Sequence, residues 1–406
     1  MNLVFKQYTA FFYIVIVFYS VNIVIFTGLY IYDMLILVFI GMLAYYKKLT
    51  LQKNSKDFII AILLLITLPA LATTLYQVFF HPDDLQKYSV YVIYNTIVSI
   101  VYIVFIENIY KKINLNYKII VILSSIPVLI SLLMYFNESI NDLFVSLYGI
   151  ERQHPFRYAG IWGRNVNQLG YYATVLIFFN ICLYHYKMIS KRIVVFVVFL
   201  SLVAIVISGM RLGIYVLGVL LIFFSFIYKK PIVRLIVLIK LALLLLLIGY
   251  SYYIISDDPF IVEYLMKRFD FGLFVRDLSG ESGAHVGKMY AKWYDIFTSK
   301  NDLTDFLFSM YPAWKHPDSL IIFYFANHGL IGFTLFVFFI TYLLIRLFKF
   351  NFPYIPTFIV SFLFIVSFKG NFLFNNMGMF LFVFVMHIFI NKKELKGGGL
   401  WKLSNQ

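Results

Sequence analysis

Residues 193–228 read IVVFVVFLSLVAIVISGMRLGIYVLGVLLIFFSFIY, and Arg211 is the one charged residue among them. As a single α-helix this stretch would be about 54 Å long at 1.5 Å per residue, whereas the hydrocarbon of a bilayer is only about 30 Å thick. The sequence SGMRLG within it predicts a break, because Gly209 and Gly213 relax the backbone and Arg211 is costly in lipid. We therefore expect a hairpin of two membrane spans, with Arg211 at the membrane surface.

The rest of the chain is similarly apolar. Of its 406 residues, 62% are hydrophobic and 13% are charged, and the mean hydropathy is +0.87. This is too little polar surface to cover a soluble globule, and the apolar runs are continuous rather than alternating, which favours helices. The single cysteine, Cys182, can form no disulfide within the chain. The sequence thus predicts an all-α polytopic membrane protein, with residues 1–406 forming one integral membrane domain.

Runs of span length recur along nearly the whole sequence, and we place about twelve of them. The first is taken as a span rather than a cleavable leader, because no small-residue cleavage site follows it. The predicted spans lie near residues 9–27, 30–46, 58–80, 89–109, 119–136, 167–186, 193–209, 212–228, 235–255, 319–345, 355–370 and 376–391.

Basic residues predict the orientation of these spans. With a cytoplasmic amino terminus, the inward loops and tails carry about 20 Lys and Arg against about 3 acidic residues, while the outward loops are nearly balanced. Both termini are then cytoplasmic. The net charge of +15 follows mostly from this asymmetry and suits an anionic inner leaflet. We therefore expect contact with membrane lipids and no nucleic-acid partner.

One large hydrophilic segment, residues 256–318, is predicted to lie outside the membrane, just before the tenth span. Its regularly spaced apolar residues, such as Ile296, Leu303 and Phe306, predict one or two short amphipathic helices packed on the membrane face. This segment forms the one external cap of the predicted membrane domain.

Four arginines on separate outward segments are candidate binding residues. Arginine presents a planar fork that matches phosphate oxygens, stays charged, and needs no metal to hold a diphosphate. A lipid-linked diphosphate sugar is the ligand that this chemistry favours, and anchoring of helices to lipid headgroups is the alternative. The residues are Arg157, Arg164, Arg211 and Arg276.

Three stretches resemble the signature regions of the O-antigen polymerase and O-antigen ligase superfamily of bacterial surface-polysaccharide assembly. They are FRYAGIWGRNVNQLG (156–170), ISGMRLG (207–213) and HPDSLIIFYFANHGLIG (316–332). The family has an Arg, a Gly and an Asn before a span, then an Arg followed two residues later by a Gly, then a His ahead of a Gly-x-x-Gly helix. The matching residues are Arg157, Gly160, Asn165, Asn167, Arg211, Gly213, His316, Gly329 and Gly332.

This resemblance implies a membrane glycosyltransferase with a GT-C-like architecture. Its donor and acceptor would be undecaprenyl-diphosphate-linked oligosaccharide repeat units at the periplasmic face of the inner membrane. A base, His316 or Asp318, would accept the proton of the attacking hydroxyl. The lipid diphosphate would be bound by Arg157, Arg164, Asn167, Arg211 and Arg276. The resemblance implies no cofactor and no metal, and it implies a chain-length regulator and a lipid-linked oligosaccharide flippase as partners.

Within this superfamily we expect a polymerase. His316 is followed by Pro317 and lies further from the first glycine than the ligase pattern places its histidine. An O-antigen ligase, which transfers finished polymer to lipid A-core, is the alternative. A flippase or polysaccharide exporter is the remaining alternative, although neither repeated halves nor charges in mid-span are evident in the sequence.

Overall fold

A computed structural model describes residues 2–21, 24–26, 29–51, 53–80, 87–110, 116–148, 160–162, 166–185, 187–208, 303–308 and 320–348, with single helical positions at 235, 239, 242, 243 and 246. Within these residues the chain is helical apart from one small antiparallel pair of strands. This agrees with the predicted helical class.

The described elements follow one another as a series of mostly apolar helices. Two of them are joined by a π-helical turn at Leu63–Thr67, and a 3₁₀ turn at Gly160–Trp162 precedes the eighth helix. In chain order the other elements are α1 (Asn2–Val21), β1 (Val24–Phe26), β2 (Leu29–Tyr30), α2 (Ile31–Tyr45), α3 (Lys53–Ile62), α4 (Leu68–Phe80), α5 (Lys87–Tyr110), α6 (Tyr117–Phe136), α7 (Glu138–Tyr148), α8 (Val166–His185), α9 (Lys191–Ile207), α10 (Leu303–Phe308) and α11 (Leu320–Phe348).

Helices occupy the first seven predicted spans and the tenth. Among the described residues, Ser55–Leu75 and Tyr117–Phe136 are long and apolar enough to cross a membrane, by length and composition. They indicate association with a membrane, while the twelve spans and their orientation stay predictions. The predicted spans 212–228, 355–370 and 376–391 lie outside the described residues, as does most of 235–255.

The first predicted span ends earlier than expected. Helix α1 stops at Val21, and residues 24–26 form strand β1, which pairs with β2 through Val24 and Tyr30. In the sequence Asn22, a weak helix former, follows the last residue of α1. Hydropathy alone did not distinguish this strand from the helix before it.

Helix α9 ends close to the break predicted within residues 193–228, and the hairpin itself stays a prediction because residues 209–228 lie outside the described residues. Helix α9 ends at Ile207, and the N–H of Ser208 donates to the carbonyl of Ala204, which closes the last turn. At its other end α9 returns from α8 through a short turn in which Lys187 has a φ of 56°. Helices α8 and α9 pack against each other as a result.

Aromatic side chains fill the core between α1, α2 and α5. Phe11 stacks on Phe39 with ring centroids 5.0 Å apart, and Phe39 meets Phe105 edge to face at 5.4 Å. In the same region the buried Tyr102 hydroxyl donates to the carboxylate of Asp33. A buried carboxylate needs such donors, so this bond helps to fix α5 against α2.

Candidate functional site

The first signature region contains a 3₁₀ turn that lies on helix α6. The backbone N–H of Ile161 donates to Oγ of Ser131 over 3.4 Å, and the Ser131 hydroxyl donates to the carbonyl of Pro127 over 2.8 Å. Ile161 and Ser131 are both buried. The single hydroxyl of Ser131 therefore joins the turn to the helix, as donor on one side and acceptor on the other.

Gly160 is required at this contact for two reasons. Its φ is +59°, in the left-handed region that residues with a Cβ adopt only at a cost. A Cβ atom built on Gly160 would also lie 2.0 Å from Oγ of Ser131 and 3.0 Å from the Cα of Ser131. Backbone as well as side chain would have to move to admit it. The glycine of the first signature region thus allows the turn to approach α6.

Helix α8 begins just after this turn and is held on the same helix. The hydroxyl of Tyr172 donates to the carbonyl of Ser124 on α6 over 2.7 Å. Asn167 lies in the first turn of α8, at the end nearer the 3₁₀ turn. Helix α6 therefore contacts both described elements, the 3₁₀ turn and α8, that flank Arg164 in the sequence.

The third signature region contains a backbone break. Helix α11 runs from Leu320 to Phe348, but Gly329 has φ 62° and ψ −165°, which are not helical values. A residue with a Cβ would be strained there. The break divides α11 into a first segment, Leu320–His328, and a second segment, Leu330–Phe348. The first of the two glycines in the Gly-x-x-Gly pattern permits this change of direction.

His328, the last residue before the break, connects α11 to α4. Its Nδ1 lies 3.0 Å from Oγ1 of Thr73, and both side chains are buried. Thr73 in turn donates to the carbonyl of Pro69 over 3.0 Å. A Cβ on Gly332 would lie 2.1 Å from the Cβ of His328 and 3.7 Å from that of Pro69. The second glycine of the pattern therefore provides the space that His328 occupies.

The π-helical turn before α4 has a local cause. Pro69 has no N–H to donate to the carbonyl four residues earlier, and the N–H of Leu68 donates instead to Leu63, five residues back. This widened turn contacts α11, as does α4 itself. The proline thus shapes the surface on which His328 and Gly332 pack.

The short helix predicted in the large hydrophilic segment is confirmed over Leu303–Phe308. Phe306 packs edge to face on Phe325 of α11, with ring centroids 5.6 Å apart, and Phe325 also meets Phe333 at 6.4 Å. Leu303, by contrast, is 75% exposed. Helix α10 therefore docks on α11 through Phe325, ahead of the break at Gly329.

Most of the predicted site residues lie outside the described part of the chain: Arg157, Arg164, Arg211, Arg276, His316 and Asp318. Asn167 is placed by its backbone only. The described structure therefore positions the glycines of the first and third regions and leaves the diphosphate-binding and catalytic roles as predictions. Within the same described residues, no group of three or more His, Cys, Asp and Glu side chains comes together as metal ligands would.

Two residues of this region were not identified from the sequence. His328 directly precedes Gly329, and its position in the motif ANHGLIG was a usable signal, although His316 was taken as the histidine of the third region. Ser131 had no signal, because a serine in an apolar helix is common and its partner is Ile161, 30 residues away.

A scan of the chain against protein-family models and a search of curated proteins find no match. The likeness to the polymerase and ligase superfamily therefore rests on the three signature regions alone.

Proposed function

We propose that this protein is a polysaccharide polymerase, which joins undecaprenyl-diphosphate-linked oligosaccharide repeat units at the periplasmic face of the inner membrane. The proposal depends chiefly on the three signature regions, which occur in the family's order and on one predicted side of the membrane. Gly160 and Gly329 support it, because each adopts a left-handed backbone inside a signature region. At both positions the backbone conformation favours glycine over any residue with a Cβ.

The reaction needs a base, an electrophile and a leaving group that is stabilised. His316 or Asp318 accepts the proton of an acceptor sugar hydroxyl as that hydroxyl attacks the anomeric carbon of the donor. The bond from that carbon to the lipid diphosphate breaks, and the diphosphate departs with the bonding electron pair. The four outward arginines hold it and stabilise its growing charge. Because a diphosphate is already a good leaving group, no general acid is required.

An O-antigen ligase is the second candidate, since it shares the donor and the departing lipid diphosphate and differs only in its acceptor. The sequence His316–Pro317 favours the polymerase over the ligase. A lipid-linked oligosaccharide flippase or exporter is less consistent with the large hydrophilic segment at 256–318, which suits chemistry on one face better than alternating access.

Arginine variants test the proposed chemistry. In membranes supplied with lipid-linked repeat units, Arg157→Ala, Arg211→Ala and Arg276→Ala should each abolish polymer formation at unchanged protein levels. The corresponding lysine variants should recover only part of the rate, because lysine lacks the bidentate fork. Arg192→Ala is a matched control, since Arg192 is exposed at the start of α9 on the predicted cytoplasmic side.

Two outcomes would count against the proposal. Full activity in all three alanine variants would indicate that these arginines only anchor helices to lipid headgroups. Equal loss in Arg192→Ala would show that removal of any basic residue disturbs insertion, and the effect would then not report on the site.

A further inference from the structure

The two segments of α11 both contact α4 and differ in their other partners. The first segment, Leu320–His328, carries Phe325, on which Phe306 of α10 packs. The second segment faces α4 and the π-helical turn, where Phe339 stacks on Phe58 of α3 with centroids 6.2 Å apart. The backbone at Gly329 therefore determines how the segment on which α10 docks is oriented relative to α4.

At this junction, a hydrogen-bonded chain of three groups links the helices. A hydroxyl has one proton, and Thr73 donates it to the carbonyl of Pro69 over 3.0 Å. Its oxygen also lies 3.0 Å from Nδ1 of His328. These contacts hold the ring of His328 against α4.

The contact admits little adjustment. Gly332 leaves no space for a Cβ, because one would lie 2.1 Å from the Cβ of His328. His328 is 2% exposed and Thr73 is 7% exposed, so their contact is buried among the helices. A shift of the first segment would therefore break the His328–Thr73 bond or displace His328 into α4. The junction therefore favours a single orientation of the first segment.

The predicted base belongs to the chain just ahead of that segment. Asp318 and His316 lie two and four residues before Leu320, the first residue of α11, in the sequence. The first segment is therefore the described element to which these residues are most directly connected along the chain. We propose that His328, held by Thr73 at the Gly329 break, is a positioning residue for the glycosyl transfer. This inference rests on the proposed function and adds a residue that the family pattern did not assign.

Conservative variants of the full-length protein in its membranes separate this role from others. Thr73→Val keeps the shape and removes the hydroxyl, and Thr73→Ser is the matched control that keeps it. His328→Leu removes the ring, and His328→Asn retains a polar atom near the place of Nδ1. We expect Thr73→Val and His328→Leu to lower kcat by about tenfold or more, with KM changed by less than about threefold. Thr73→Ser should stay close to wild type, and His328→Asn should lie between.

A double variant tests whether the two side chains act as one unit. Thr73→Val combined with His328→Leu should be no slower than the slower single variant, because the same contact is lost in each. Rate losses that multiply would contradict the proposal. So would a wild-type rate in Thr73→Val together with an inactive His328→Leu, since the histidine would then act without Thr73.

A distance measurement provides a readout that does not depend on activity. Spin labels at Leu303 on α10 and Phe79 on α4, which are 75% and 74% exposed, report on the direction of the first segment in a Cys182→Ser background. The distance distribution should shift or broaden in Thr73→Val and stay unchanged in Thr73→Ser. Unchanged distances in Thr73→Val would overturn the positioning role while leaving polymerase activity standing. A wild-type protein that forms no polymer from repeat units would instead reject the proposed function and, with it, this role.

Discussion

Gly160 approaches Ser131 so closely that a Cβ atom on the glycine would lie 2.0 Å from the serine hydroxyl oxygen. The N–H of the next residue, Ile161, donates to that same oxygen. The turn that carries the glycine belongs to the first signature region, between Arg157 and Arg164 in the sequence. A side-chain hydroxyl on α6 and the absence of a side chain at Gly160 thus act together to seat the turn.

Gly160→Ala should lower the melting temperature of the detergent-solubilised protein and reduce polymer formation. The added methyl group must displace Ser131, and a left-handed backbone at a residue with a Cβ costs about 1–3 kcal/mol. Gly41→Ala is the matched control: it lies within α2, and a Cβ there would meet nothing within 4 Å. It should leave the melting temperature unchanged or slightly raised.

Adding Ser131→Gly to Gly160→Ala should restore part of the lost stability, because the contacts with Oγ and Cβ of Ser131 are removed. The approach to the Cα of residue 131 and the backbone strain remain. If Gly160→Ala had the same melting temperature as the wild-type protein, the turn would not pack on α6 as described.

Because Tyr102 donates a hydrogen bond to Asp33, we expect removal of its hydroxyl to lower the stability of the protein. In Tyr102→Phe a buried carboxylate loses a donor, and we expect a loss of about 1–3 kcal/mol in the free energy of unfolding. Tyr45→Phe makes the same chemical change at a side chain that is 81% exposed and should have no measurable effect. Thermal unfolding of both variants in the same detergent measures the difference. Equal melting temperatures would show that the bond does not hold α5 against α2.

The predicted orientation can be tested at two exposed positions that the structure describes. Ser139 lies in α7 and Lys191 at the start of α9, and both are exposed. In a Cys182→Ser background, Ser139→Cys should react with an impermeant thiol reagent in intact spheroplasts, and Lys191→Cys should react only after lysis. This follows from the excess of basic residues on the cytoplasmic side. The reverse pattern would place the signature regions in the cytoplasm and reject the proposed site.

The sequence predicted the long described helices because a long apolar run has few alternatives, whereas α7, which is shorter and more polar, was not predicted. Apolar backbone in lipid must satisfy its own hydrogen bonds, so runs such as 119–136 indicate helices whatever their neighbours are. The strand at Val24–Phe26 was missed because its residues are as apolar as those of the helix before it.

The site was predictable only as far as its contacts are local. Gly160 and Gly329 were recognisable as motif residues, but their partners were not. Ser131 lies 30 residues from Ile161, and Thr73 lies 255 residues from His328. Such pairs depend on which helices become neighbours, and apolar patterning does not specify that. His328 could have been identified from its place before Gly329, whereas Thr73 could not.

The lipopolysaccharide banding pattern of a deletion strain tests the central claim most directly. A polymerase joins repeat units to one another, so its loss in a lipopolysaccharide-making host leaves an intact ligase to transfer single units. We expect the ladder to collapse to one band of core plus one repeat unit, and the wild-type gene to restore it. Bare core with lipid-linked polymer still accumulating would contradict the assignment as a polymerase and indicate a ligase. An unchanged ladder would contradict both assignments.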